Sequence, residues 1–219
     1  MSPSRCLVLL LSSAVAAGAP GCKSVNALKT KAPDPGVNQG DWAVVRNANT
    51  RRALLYDQFQ QRAIVTATYL SPPVREARTA RLGEWLGWTQ QELDARLKTE
   101  ADEAAKYDDF LVALFTPDRR SNDLDSRESV WRLALRLDTG DEVVTHDATS
   151  IDVNATVANL FPYVSPFDVV YRVRFNRVAG GPLAERRFTL EIASALGKME
   201  LTFGDGAVGP ERPEGALIP

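Results

Sequence analysis

Val130-Trp131-Arg132-Leu133-Ala134-Leu135-Arg136-Leu137-Asp138 is the stretch that decides the fold class. Successive side chains of an extended strand point to opposite faces. Trp131, Leu133, Leu135 and Leu137 therefore share one face, and Arg132, Arg136 and Asp138 take the other. That period-2 alternation predicts a strand with one dry side and one wet side. Asp138-Thr139-Gly140-Asp141 then supplies a turn ahead of Val143 and Val144, which predicts a hairpin.

The same alternation recurs on the C-terminal side. Phe167, Val169, Tyr171, Val173 and Phe175 alternate with Arg172, Arg174 and Asn176, and Phe188, Leu190 and Ile192 alternate with Thr189 and Glu191. Met199, Leu201 and Phe203 follow a Gly197 turn. On the N-terminal side, Phe110 to Phe115 is continuously apolar and reads as a strand buried on both faces. Ala53 to Tyr56 and Arg62 to Leu70 carry β-branched and aromatic residues suited to strands. About eight short antiparallel strands predict a mainly β protein built as a β-sandwich.

Between Leu70 and Phe110 the period turns helical. Ser71 stands where an N-cap belongs, with Pro72 and Pro73 in the first turn. Val74, Ala77, Leu82, Trp85 and Leu86 mark an apolar face that stops at Gly87. Thr89-Gln90-Gln91-Glu92 is a capping box, and Leu93, Leu97, Ala101 and Ala104 make a second stripe. A two-helix hairpin over 72–106 is thus inserted after the second strand. The expected organisation is a single domain over 41–203, because neither half has the length for a generous core alone.

Composition narrows function by exclusion. Lys plus Arg number 26 against 28 Asp plus Glu, so no bulk charge draws the chain to nucleic acid. One histidine and two cysteines exclude Cys-rich zinc modules and any scheme that needs a pair of histidines.

The N-terminus carries an address. Arg5 precedes an apolar run from Leu7 to Leu11, continued by Ala14 to Ala17, about half the ~20 residues a spanning helix needs. Small residues and a proline close it, which is signal-peptide chemistry. Ala19-Pro20-Gly21-Cys22 resembles the lipobox of bacterial lipoproteins, with Gly21 and Cys22 on the pattern and Ala19 and Pro20 off it. Cleavage after Ala17-Gly18-Ala19 is the competing reading, and it would leave Pro20 beside the cut. The resemblance implies removal of 1–21, a lipid on Cys22 and an anchor in the membrane. Lys23 follows the cysteine, which in that family implies the outer membrane facing the periplasm. Residues 22–40 then read as a polar tether with Pro33, Pro35 and Gly36, and 204–219 as a disordered tail rich in Gly and Pro.

Chemistry-bearing patterns are few. His146 sits beside Asp147, but neighbours on a strand diverge, so its expected role is structural. The loop Thr116 to Glu128 holds Asp118, Asn122, Asp123 and Asp125, yet three interleaved arginines oppose a cation and the EF-hand spacing is missing. No catalytic residue, metal ligand or cofactor is assigned.

Contact residues are a different matter. If their strands neighbour each other, Arg132, Arg136, Arg172 and Arg174 place four guanidinium groups on one face, suited to an anionic polymer or a lipid headgroup. The alternative is a solvated face whose arginines pair with Glu142, Asp152 or Glu191. Trp88 beside Gly87 is a further candidate contact, and Leu160 to Phe167 reads as packed chain leading into a strand.

The expected function is a non-enzymatic cell-envelope lipoprotein presenting a binding domain, with an envelope protein or anionic polymer as partner. The alternatives are a carrier of an apolar ligand under Trp85 and Leu93, and a carboxylate-based hydrolase.

Overall fold

In a computed structural model the described residues are 40–177, 183 and 186–204, all within the compact unit Asp34–Pro219. The segments expected to be a leader, a tether from Cys22 and a tail after Gly204 lie outside them, except that Gly40, expected to end the tether, opens the first helix. Nine strands and four α-helices are described: α1 (Gly40–Ala48), β1 (Thr50–Asp57), β2 (Gln60–Tyr69), α2 (Pro72–Leu86), α3 (Gln90–Ala104), β3 (Tyr107–Phe115), β4 (Arg132–Leu137), β5 (Glu142–Val144), β6 (Asp147–Ile151), α4 (Ala155–Leu160), β7 (Val169–Asn176), β8 (Phe188–Ser194) and β9 (Gly197–Phe203).

The strands form two antiparallel sheets, ordered β1-β2-β3-β7-β6 and β5-β4-β8-β9. One apolar core draws on both. Ala63, Val65, Phe110, Val112, Tyr171 and Phe175 come from the five-stranded sheet, and Leu133, Leu135, Phe188, Leu190, Met199 and Phe203 from the four-stranded one, while Trp131, expected in β4, packs into the core from just before it. The alternation in β4 is realised as expected, with Leu133, Leu135 and Leu137 buried. Gly140, at φ +90°, lets the chain turn back into β5.

Beyond this shared core, hydrogen bonds tie the sheets together at their margins. Arg51 on β1 donates Nε to the Thr202 carbonyl on β9 at 2.8 Å. At another margin, the chain crosses between sheets in two residues: Thr145 Oγ1 donates to the Leu133 carbonyl at 2.9 Å, and His146 N donates to the Arg174 carbonyl at 2.8 Å.

A second core lies on the outer face of the five-stranded sheet, where Leu111, Ala113 and Val170 meet Trp42, Val74, Leu160 and Phe161. This is why β3 is buried on both faces. Helices α1 and α4 supply much of that cover, and neither stood out in the sequence. They are tied together by Trp42 Nε1 and Arg46 Nη1, which both donate to the Leu160 carbonyl at 3.0 Å.

The helical hairpin stands where expected, between β2 and β3. Its caps differ from one another. Thr89 and Glu92 form both halves of the capping box on α3, and Gly87 closes α2 in the left-handed region at φ +65°. Ser71 occupies the N-cap position of α2, but its hydroxyl makes no capping bond; Pro72 and Pro73 have no N–H to cap there. Ala104 is the only buried residue of α3, so the expected stripe is half-buried at Leu93 and Leu97 and exposed at Ala101. Phe167, expected in β7, precedes it and is 60% exposed.

Candidate functional site

Two regions of the molecule hold concentrated chemistry, one charged and one apolar. The charged region lies where the helical hairpin meets β3 and β7. Asp108 and Asp109 follow Tyr107 at the beginning of β3, and both are 1% exposed. As strand neighbours they point to opposite faces. Asp108 Oδ1 accepts from the Tyr69 hydroxyl at 2.7 Å and from Arg177 Nη1 at 3.0 Å. Asp109, on the helix side, accepts from Arg75 Nη2 at 2.8 Å, from Arg174 Nε at 2.8 Å and from Arg174 Nη2 at 2.9 Å.

The arginines carry this outward to α3. Arg75 Nη1 donates to Glu100 at 3.0 Å, Arg78 Nη2 donates to Glu100 at 2.6 Å, and Arg174 Nη2 donates to Glu103 at 2.6 Å. The Arg174 guanidinium lies over the Tyr107 ring at 4.1 Å, and Tyr107 stacks on His146 at 5.6 Å.

Burial alone would raise the Asp109 pKa, but hydrogen bonds from Arg174 and Arg75 outweigh it and hold the carboxyl below the ordinary range. Arg174 is correspondingly raised by its bonds to Asp109 and Glu103. Burial, with the Asp108 charge behind it, pushes the Tyr69 phenol well above its ordinary value. Charges locked this way favour a structural latch over a proton-transfer site.

The arginines named in the sequence do not share one face. β4 and β7 belong to different sheets. Arg132 pairs with Glu142, while Arg136 reaches Glu191 at 3.1 Å and Glu142 at 3.5 Å. Arg174 is spent in the latch, and Arg172 is exposed, opposite Thr149 on β6. The ion-paired alternative therefore describes Arg132 and Arg136.

Trp88 is half-buried. The Arg96 guanidinium covers its ring at 4.4 Å, and a Cβ at Gly83 would lie 3.3 Å from both Trp88 and Leu93, so α2 and α3 are in contact there. His146 is exposed, and Asp147 accepts instead from Thr149 Oγ1 at 2.9 Å.

In the 116–128 loop, Asp118 binds Arg120, Asp123 caps Ser129 and Val130, and Asn122 accepts from the Tyr171 hydroxyl. These side chains fix the loop and tie it to β3 and β7, since Asn122 also donates to the Leu114 carbonyl at 2.8 Å. Among the described residues no group of three or more His, Cys, Asp or Glu is arranged for a metal ion.

The apolar region lies on the outer face of the five-stranded sheet. Leu54 pairs in register with Ile64, and Ile64 with Phe115, so the three make a row across β1, β2 and β3. Ile64 and Phe115 are half-buried, Leu54 is 48% exposed, and Tyr56 at the end of β1 is 54% exposed. Phe59, in the β1–β2 turn, is 100% exposed.

Comparison with family models, with curated proteins and with solved structures finds no match for this chain. Among the described residues no helix is long and apolar enough to cross a membrane.

Both regions were missed in the sequence for the same reason. Arg75 and Asp109 are 34 positions apart, and Arg174 and Asp109 are 65 apart, so only the fold joins them. Leu54, Ile64 and Phe115 each read as ordinary strand residues until the register aligned them. The available signal was local: two acids opening an apolar strand, and a phenylalanine set among glutamines in Gln58-Phe59-Gln60.

Proposed function

We propose that this chain is a non-enzymatic, lipid-anchored binding protein of the bacterial cell envelope. Its two sheets would pack as a β-sandwich, and its anchor would be an acylated Cys22 following an export leader. The observation that carries the binding half is the apolar row of Leu54, Ile64 and Phe115, flanked by Tyr56 and the fully exposed Phe59. A fully exposed aromatic beside a contiguous apolar row supports reading the patch as a contact surface. The anchor half is supported by Gly21-Cys22 at the end of an apolar leader. The non-enzymatic reading draws support from the buried carboxylates: Asp108, Asp109 and Glu191 each sit against a cation.

The test is intact mass of the protein from its native host, with membrane and soluble fractions measured separately. A chain from Cys22 carrying acyl groups, in the membrane fraction, is the expected result. An unmodified chain starting at Pro20 in the soluble fraction would overturn the anchor.

A further inference from the structure

We propose that the partner of the apolar row is the bilayer surface itself, and that the β1–β2 turn inserts Phe59 and Tyr56 into the headgroup region so that the domain lies with this face toward the membrane. This rests on the anchored reading of the chain.

The row is free of charge where an inserting surface needs to be. Leu54, Ile64 and Phe115 cross three strands and Tyr56 follows Leu54 along β1; of the ions beside them, Asp57 and Arg62 neutralise each other at 2.7 Å, and Arg52, exposed on the same face two positions before Leu54, stands at the rim where it can meet anionic headgroups. Aromatic side chains are favoured at membrane interfaces, and apolar ones reach a few ångströms deeper. Elsewhere the same sheet face is already covered: Leu111, Ala113 and Val170 pack under Trp42, Leu160 and Phe161. Among the described residues, the end of this face at the β1–β2 turn keeps its apolar side chains in water.

The length of chain outside the described residues selects the bilayer over a distant partner. Seventeen residues, Lys23 to Gln39, separate Cys22 from α1. Fully extended they span about 60 Å, and as a flexible coil roughly 20–25 Å. From Gly40, the nine-residue α1 and the eight-residue β1 lead to the turn. Those two elements measure about 13 Å and 26 Å along their axes. The turn is therefore never farther from Gly40 than the tether can reach, and an acylated Cys22 would hold it beside the bilayer at high effective concentration.

The experiment uses the acylated full chain in vesicles of phosphatidylethanolamine and phosphatidylglycerol at 3:1, doped with brominated phosphatidylcholine, which quenches tryptophan at short range. Phe59→Trp places a reporter at the turn, and Val44→Trp places a control on the exposed side of α1, where Val44 is 71% exposed. Each is read as the extra quenching over the parent chain. Several-fold more quenching at position 59 than at position 44 is the expected result. Equal quenching in a chain whose mass shows the acyl groups overturns insertion while leaving the anchor standing. If the mass shows no acyl group the anchor fails, and the same two variants with excess vesicles decide insertion alone. In that unacylated chain, Leu54→Asp with Phe59→Asp is expected to weaken vesicle binding on the order of tenfold or more. Dimerisation of the parent chain in solution that Phe59→Asp abolishes, with no quenching by lipid, would assign the row to a second copy and overturn the proposal.

Discussion

Replacing Asp109 by asparagine removes one charge from between two guanidinium groups and leaves the shape almost unchanged. Three charge-assisted hydrogen bonds converge on this carboxylate, from Arg75 and from both donors of Arg174. An asparagine keeps one oxygen acceptor and turns its NH₂ toward a cation, so at least one bond of about 1.5–3 kcal/mol is lost. Arg75, 4% exposed, retains Leu70 and Glu100, and Arg174 retains Glu103, but the cluster is left with excess positive charge. Breaking a buried pair in this manner costs about 3–5 kcal/mol. For a domain of this size each kcal/mol moves Tm by about 2–4 °C, so the expected fall is roughly 6–20 °C.

Urea titration with calorimetry measures it, and hydrogen exchange across Gln90–Ala104 locates it, since α3 buries only Ala104 and leans on these ion pairs. Exchange in α3 should accelerate before the sheets respond. A loss under about 1 kcal/mol, the value of a solvated pair, would refute the idea that the latch is dry. A triple replacement of Asp109, Arg75 and Arg174 by leucine and methionines should regain much of the loss, because no deeply buried charge is left unpaired: Glu100 keeps Arg78, and Glu103, which loses Arg174, reaches water.

The acid limb of stability follows from the same residue. Asp109 has its pKa depressed in the folded state, so its contribution is complete above the ordinary carboxylate range and is lost as pH falls through the folded value. Denaturant midpoints should be flat near neutrality and drop below about pH 4, and less steeply in the asparagine variant. Thr89→Ala removes half of the capping box and is expected to cost about 1 kcal/mol, seen by circular dichroism melts and by fraying of the first turn of α3. Gly197→Ala forces φ +135° on a residue with a side chain and places its Cβ 2.6 Å from Leu55. A loss of about 1–3 kcal/mol by urea titration is expected. Arg132→Ala breaks only an exposed pair with Glu142, and its Tm should match that of the parent.

What could be read from the sequence was whatever one face of one element decides. Trp131 to Leu137 announced a strand because a single buried face imposes period 2, and Thr89 to Glu92 announced a helix start because the cap closes within four residues. Helix α1 escaped notice because nine residues after a Pro- and Gly-containing stretch offer little period, and what holds it is Leu160, more than a hundred residues away. The division of strands between two sheets was equally hidden. Arg132 and Arg172 show the same alternation, and pairing partners alone put them in different sheets. The latch and the apolar row are products of register, which no local pattern records.

The hairpin after β2 also bears on how quickly the chain finds its fold. β2 and β3 are direct neighbours, with Tyr69 opposite Phe110, although 40 residues lie between these two. Bringing them together across a floppy loop carries an entropic cost that rises with loop length. Helices α2 and α3, capped by their own residues and joined by a tight turn at Gly87, can assemble from short-range contacts alone. Once paired, they fold the excursion back on itself and shrink the gap to be closed. The refolding rate of the Thr89→Ala chain should therefore fall along with its stability if this hairpin assembles ahead of the central strands.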